Sequence, residues 1–266
     1  MIQLIVSDID GTLLPYGDTV LSDEVVFLIQ QLRERGILFC PTSGRQYHSM
    51  RALFPSLADE LPFVCENGGV VFGPGKEDTA PIWASVPMER NAALSLAQDI
   101  LNMPQCELLI TGARFAYLWH QCPQEYVEHM RDFKGFQIKM IRNLEEIQED
   151  ILKVSAHCPQ GTQSAEAHLG PNWSHVFHMA VAGHDWLDFT IADKGQGVVE
   201  LCRILGVSLQ NVLAFGDNWN DAAMLSTVGH PYLMDSAHPE LLQRFPTTCH
   251  RVEDVLRHWL DTGELL

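Results

Sequence analysis

The chain has no C-x-x-C pair; its cysteines, Cys40, Cys65, Cys106, Cys122, Cys158, Cys202 and Cys249, stand singly. An odd, unclustered set argues against a disulfide framework and for reduced thiols in a cytoplasmic setting. Long apolar runs are missing as well. No stretch reaches the ~20 residues needed to span a bilayer. The apolar run at 2–6 is too short for a secretory leader and lacks a basic flank. Positive charge is scarce: 17 Lys and Arg stand against 34 Asp and Glu, for a formal net charge of −17. Without a cationic excess there is nothing to meet a phosphate backbone, so nucleic acids and anionic membranes are excluded as partners. Internal repeats and low-complexity tracts are also lacking. What remains is an ordinary globular composition, 46% hydrophobic with a mean hydropathy of −0.02. The 266 residues suffice for one large domain or two modest ones. A chain this acidic can handle an anionic substrate only through a local cluster of cations or a bound metal.

The pattern predicts a split α/β domain. Residues 2–6 read as a buried parallel strand ending in Ser7-Asp8. Helical spacing over 22–35 follows, with Ser22 as N-cap and Gly36 as stop. A strand at 37–40 ends at Pro41-Thr42-Ser43-Gly44, a helix spans 47–54, and a strand at 63–65 runs into Glu66-Asn67-Gly68-Gly69. This rhythm is that of a doubly wound sheet. From 83 to 188 the texture becomes α+β, with one hairpin joined at 111–113 and another around 183–185. The α/β rhythm returns with a helix at 197–205 and a strand at 212–215 ending in Gly216-Asp217. The expected architecture is therefore a core built from 1–82 and 189–266, with a second domain inserted at 83–188.

Ligands of open α/β sheets bind beyond the carboxyl ends of the strands. Those ends deliver Asp8 with Asp10, then Thr42, Ser43, Gly44 and Arg45, then Asn67, then Asp217 with Asn220 and Asp221. Lys194 lies just before a helix on the same sheet. Asp8, Asp10 and Asp217 together suit Mg²⁺, a hard cation that takes oxygen ligands. Without a cation, such carboxylates repel one another. Asp8 is placed to attack phosphorus and split one hard step into two. Asp10, two residues on, can serve as general acid and then as base. Ser43 and the Gly44 N–H can bind phosphate oxygens, with Thr42 an alternative to Ser43. Lys194 supplies a compact positive charge.

DIDGTLL at 8–14, TSGR at 42–45, Lys194-Gly195 and GDNWND at 216–221 resemble, in order, the four motifs of the haloacid dehalogenase superfamily. The place of the insertion resembles the Cof-type, class IIB branch, whose caps are α/β. The resemblance implies a Rossmann-like core and a phosphatase with Asp8 as nucleophile and Asp10 as acid/base. It implies a Mg²⁺ held by Asp8, the Asp10 main-chain carbonyl and Asp217, with Asn220 and Asp221 in supporting fourth-motif positions. Asn67 falls on the family's Asn-Gly loop near the substrate, and the cap is expected to close over the site. Asp193, before the lysine, departs from the family's usual small polar residue.

Other residues invite blander readings. His175 and His178 enter a strand, where i and i+3 point to opposite faces, so no shared metal is expected. Arg45 is open between a substrate contact and a structural ion pair. Trp119, Trp173 and Trp186 read as packing. A sugar phosphomutase on the same fold would need clustered arginines in the insert, and only the scattered Arg90, Arg114, Arg131 and Arg142 are there. The expectation is a cytoplasmic, Mg²⁺-dependent phosphatase of a small phosphorylated metabolite, a sugar phosphate by default. Its substrate and oligomeric state are not written in the sequence.

Overall fold

The computed structural model describes residues 1–133, 135–182 and 184–266. Gly183, in the joint expected at 183–185, lies outside the described residues. The chain divides into two compact units. Met1–Arg45, Met50–Ala84 and Asp193–Leu266 make the first; Gln46–Ser49 and Ser85–Ala192 make the second.

The first unit begins with β1 (Leu4–Ser7), every residue of which is buried. α1 (Asp23–Glu34) buries Val25, Leu28, Ile29 and Leu32, the stripe expected of a helix on a sheet. Ser22 caps it, accepting from Val25 N at 3.1 Å, and Gly36 takes the left-handed conformation that ends it, with φ +77°. β2 (Leu38–Pro41), α2 (Tyr47–Arg51, its first three residues counted with the second unit), β3 (Phe63–Cys65), β4 (Val70–Phe72) and β5 (Ile82–Ser85, its last residue likewise) follow. α2 is shorter than the stretch 47–54 that the pattern predicts. β3, β4 and β5 form a small sheet of their own.

In the second unit the elements are α3 (Arg90–Leu101), β6 (Glu107–Thr111), β7 (Ala116–Trp119), α4 (Gln124–Glu128), β8 (Ile138–Ile141), β9 (Lys153–His157), α5 (Gln163–Trp173), β10 (His178–Ala182) and β11 (Trp186–Thr190). Its sheet runs β10-β11-β9-β6-β7-β8, antiparallel except where β7 meets β8. Alternation sorts the side chains. Leu108, Ile110, Val154, Ala156, Leu187 and Phe189 share a core with α3 and α5; Leu109, Ala116 and Leu118 meet Tyr126, Val127 and Met130 instead. β11 pairs along its whole length with β10, Thr190 opposite His178, which keeps 189–190 in this unit.

The chain returns to the first unit with α6 (Lys194–Leu205), β12 (Val212–Gly216), α7 (Ala222–Thr227), β13 (His230–Met234), α8 (Pro239–Arg244), β14 (Thr248–Cys249) and α9 (Val252–Thr262). The main sheet has the order β14-β13-β12-β1-β2 and is parallel throughout. Leu4, Val6, Val64, Val198, Leu201, Val212, Ala214 and Leu233 lie in its core, each such burial worth about 1.5–3 kcal/mol. From β1 the chain winds toward β2 on one side and, from β12, toward β14 on the other. β1 and β12 are thus adjacent strands at the point where the winding reverses, the place where open α/β sheets bind ligands.

Candidate active site

Asp8 and Asp217 follow the ends of these two strands, and Asp8 N bonds Phe215 O at 2.9 Å across them. The third contributor arrives from α6. Asp193 caps that helix, its side chain accepting from Gln196 N at 2.8 Å, so Lys194 is its first residue. The helix thus starts three residues earlier than the apolar spacing predicts, and Asp193 pairs with the backbone, not with Lys194. Two glycines let the helix approach: a Cβ on Gly197 would sit 2.8 Å from Gly68 Cα, and one on Gly68 would sit 2.1 Å from Asp193 O. Gly68 also has φ +92°, open only to glycine at little cost.

Lys194 is fully buried. Its Nζ lies 2.6 Å from Asp8 Oδ1 and 2.6 Å from Asp221 Oδ1. Burial pulls its pKa down, yet Asp221 and Asp8 outweigh burial and raise it, so the ammonium stays charged. Burial pushes Asp8 well above its ordinary 3.8; Asp221 pushes the same way, and Lys194 opposes them. Asp221 has both oxygens engaged. Its Oδ2 accepts from the N–H groups of Asp217 and Asn218, each at 3.0 Å, and so fixes the turn that carries Asp217.

Asp217 is held from the first loop. Thr12 Oγ1 donates to its Oδ1 at 3.2 Å and the Tyr16 hydroxyl to its Oδ2 at 2.7 Å. Burial raises its pKa too, with Tyr16 lowering it. Asp10 is gripped by Arg45, whose Nε and Nη2 reach its two oxygens at 2.8 and 2.6 Å, the bidentate fork that makes such pairs strong. Arg45 is therefore an ion-pair partner here. Ser43 is buried, bonds Val64 O through its N–H at 3.0 Å, and accepts Arg45 N on its hydroxyl at 3.2 Å. Thr42 lies deeper, its hydroxyl 3.5 Å from Cys40 O. Asn67 has φ +53° and Glu66 φ +51°, two non-glycine residues in the left-handed region, where strain concentrates at functional sites. That turn sets Asn67 Oδ1 3.2 Å from Asn220 Nδ2 and the Asn67 side chain against Gly44, where a Cβ would come within 3.0 Å.

Asp8, Asp217 and Asp221 are the one group of metal-capable side chains among the described residues, each offering a donor atom within 4.8 Å of the others. The Asp10 carboxylate is not part of that group; Arg45 occupies it. The triad fits a magnesium ion. Its donors are hard oxygens, and three carboxylates against one ammonium leave a buried deficit of positive charge; Asp8 and Asp217, raised first by burial, are raised further by Asp221. Tyr16 is the residue that sequence reasoning missed: it is largely exposed, and nothing in its neighbourhood marks a hydroxyl aimed 201 positions along the chain. Thr12 was visible as part of the DIDGT run, but not its partner. His178 opens β10 and His175 lies in the turn before it.

Comparison with known proteins identifies the family. The family model of haloacid dehalogenase-like hydrolases matches residues 5–254. A 5-amino-6-(5-phospho-D-ribitylamino)uracil phosphatase of Escherichia coli (strain K12) is 25% identical over 243 residues, covering 89% of this chain and 86% of that one. An HMP-PP phosphatase of Enterobacter sp. (strain 638) is 26% identical over 288 aligned positions, covering 100% and 98%. A HAD subclass IIB sugar phosphatase shares the fold, with a TM-score of 0.78 at 16% identity over 97% of this chain and 98% of that one. No helix among the described residues is long and apolar enough to cross a membrane.

Proposed function

Because the chain belongs to the haloacid dehalogenase-like hydrolases, we propose that it is a Mg²⁺-dependent phosphatase that passes a phosphoryl group from a small phosphorylated metabolite to Asp8 and then to water. The observation that carries this reading is the buried contact of Lys194 with Asp8 and Asp221 at 2.6 Å each, beside Asp217 at the reversal of the sheet. A lysine locked between two carboxylates opposes the rise in the nucleophile's pKa and compensates the charge that a phosphate brings.

The residues divide the work. Asp8 attacks phosphorus as the leaving oxygen departs, giving an aspartyl-phosphate. Asp10 is placed to give the leaving oxygen its proton and later to take one from water, and Arg45 holds it in position through the two-pronged bond. Ser43 and the Gly44 N–H receive phosphate oxygens, and Asn67 and Asn220 border the same rim. Asp8, the Asp10 main-chain carbonyl and Asp217 would hold the ion, with Asp221 fixing the loop beneath. When bound, Mg²⁺ neutralises carboxylates that otherwise repel a phosphate.

For the substrate, the two curated relatives point to different compounds at similar identity, so the class is set more firmly than the molecule. A sugar phosphate is the default, and a phosphorylated ribitylamino-uracil belongs in the same panel. The test is phosphate release from phosphorylated metabolites with Mg²⁺ and with EDTA, and with Asp8→Asn as control. Metal-dependent release, absent in a folded Asp8→Asn, is expected; full turnover by that variant removes the covalent route.

A further inference from the structure

Outside the active site, one pair of nucleophilic side chains stands out. Cys106 Sγ and Cys158 Sγ lie 2.7 Å apart, both buried, in the core of the second unit. The fold, not the sequence, brings them together. β6 and β9 pair antiparallel with Glu107 opposite His157, so Cys106 and Cys158 face each other one step beyond the end of that ladder. Directly opposed residues of antiparallel strands have Cα atoms about 4.5–5.5 Å apart, inside the span a disulfide tolerates. Each neighbour fixes its cysteine from another side: Cys106 N bonds Met103 O at 3.0 Å and Cys158 N bonds Asp185 O at 2.7 Å.

We propose that Cys106 and Cys158 form a peroxide-sensitive dithiol site that closes to an intramolecular disulfide when the folded chain meets hydrogen peroxide. Cys106 is the attacking sulfur, as the more exposed of the two, 8% against 2%. The contact with Cys158 draws its thiol pKa down against the effect of burial, while Cys158 is pushed up. Each of the other five cysteines is pushed up by burial, Cys122 and Cys202 to about 11 and Cys249 to about 12, and a thiolate is the form that reacts. The Cys106 thiolate attacks one peroxide oxygen. An S–O bond forms, the O–O bond breaks, and the departing hydroxide takes a proton to become water. Cys158 sulfur then attacks the sulfenic sulfur, the S–S bond forms, the S–O bond breaks, and the Cys158 proton leaves with that oxygen as a second water. Two thiols and one peroxide thus become one disulfide and two waters. The bond ties the entrance of β6 to the exit of β9 across 52 positions.

The experiment titrates the folded, full-length chain with hydrogen peroxide, denatures it, alkylates the remaining thiols and maps peptides by mass spectrometry without reductant. The expected result is a linked Cys106–Cys158 peptide, reversed by dithiothreitol, at peroxide doses that leave the other five cysteines alkylatable. Its formation should run at least about tenfold ahead of oxidation at any other cysteine, because a resolving sulfur in contact traps the oxidised form. Cys158→Ser removes the resolving sulfur, and Cys106 in that variant should then collect a dimedone adduct as a trapped sulfenic acid. Wild-type protein in which Cys106 and Cys158 stay alkylatable while another cysteine oxidises overturns the proposal. So does Cys106 reaching sulfinic acid with no linked peptide. The wild-type readout stands alone if Cys158→Ser fails to fold.

Discussion

Replacing Asp221 by alanine tests whether the buried ion cluster is a structural unit as well as a chemical one. Asp221 is fully buried and serves three donors: Lys194 Nζ at 2.6 Å and the N–H groups of Asp217 and Asn218 at 3.0 Å. The alanine leaves two buried N–H groups without that acceptor and leaves Lys194 paired with Asp8 alone. Each buried donor left without an acceptor costs about 1–3 kcal/mol, while Lys194 keeps Asp8 as its counter-charge. Relief works the other way, since Asp221 repels Asp8. The expected loss for Asp221→Ala is therefore about 3 kcal/mol, within the range for two unsatisfied donors, read as a fall in the urea midpoint at constant slope. Asp221→Asn keeps one carbonyl for the backbone donors and should lose less. In a double-mutant cycle, Lys194→Met with Asp221→Leu should cost clearly less than the sum of the single changes, because the two charges disappear together. A loss below about 1 kcal/mol for Asp221→Ala, within the range of an ordinary surface change, refutes the reasoning, and so does strict additivity in the cycle.

Three further outcomes follow from the same geometry. Arg45→Lys replaces a two-pronged grip on Asp10 with a single ammonium; kcat on the best substrate should fall about tenfold or more, with KM changing less, because the fork geometry is lost. Tyr16→Phe removes the hydroxyl that occupies Asp217 Oδ2, so Mg²⁺ should bind more tightly, by up to about tenfold for one charged hydrogen bond; a thermal-shift titration with MgCl₂ reads this, and weaker binding contradicts it. The third concerns pH. Burial raises Asp8 and Asp217 above their ordinary 3.8, so between that value and their folded values the native state holds more protons than the unfolded one. Stability from these groups is present below 3.8 and is lost as pH rises through the raised values. Mg²⁺ binds the deprotonated form, so the gain in Tm at fixed MgCl₂ should be larger at pH 7 than at pH 4.5; an equal gain at both pH values counts against the cluster as the metal site.

Much of the fold was legible because the signals are local. The all-apolar β1 ending at Asp8, the capped stripe of α1 and the hairpin of β6 and β7 each follow from periodicity within a dozen residues. The list of chemically capable residues was legible for the same reason, since a parallel sheet delivers its strand ends to one rim. Boundaries were less so. α6 begins at Lys194 rather than 197 because the cap on Asp193 decides its first turn, and three residues carry no apolar period to reveal it.

The sequence by itself determined the alternation of an α/β core interrupted by an insert, which residues stand at its strand ends, and the net charge of −17. Tertiary structure alone decided who touches whom. Arg45 takes Asp10 at a separation of 35 positions, Tyr16 takes Asp217 at 201, and Cys106 meets Cys158 at 52. The physical reason is that such contacts arise where strands pair and loops converge, and an ion pair, a hydroxyl or a thiol leaves no trace in the residues beside it in the chain. The folded main chain chooses among many possible partners, and that choice turns a set of acids and bases into a site.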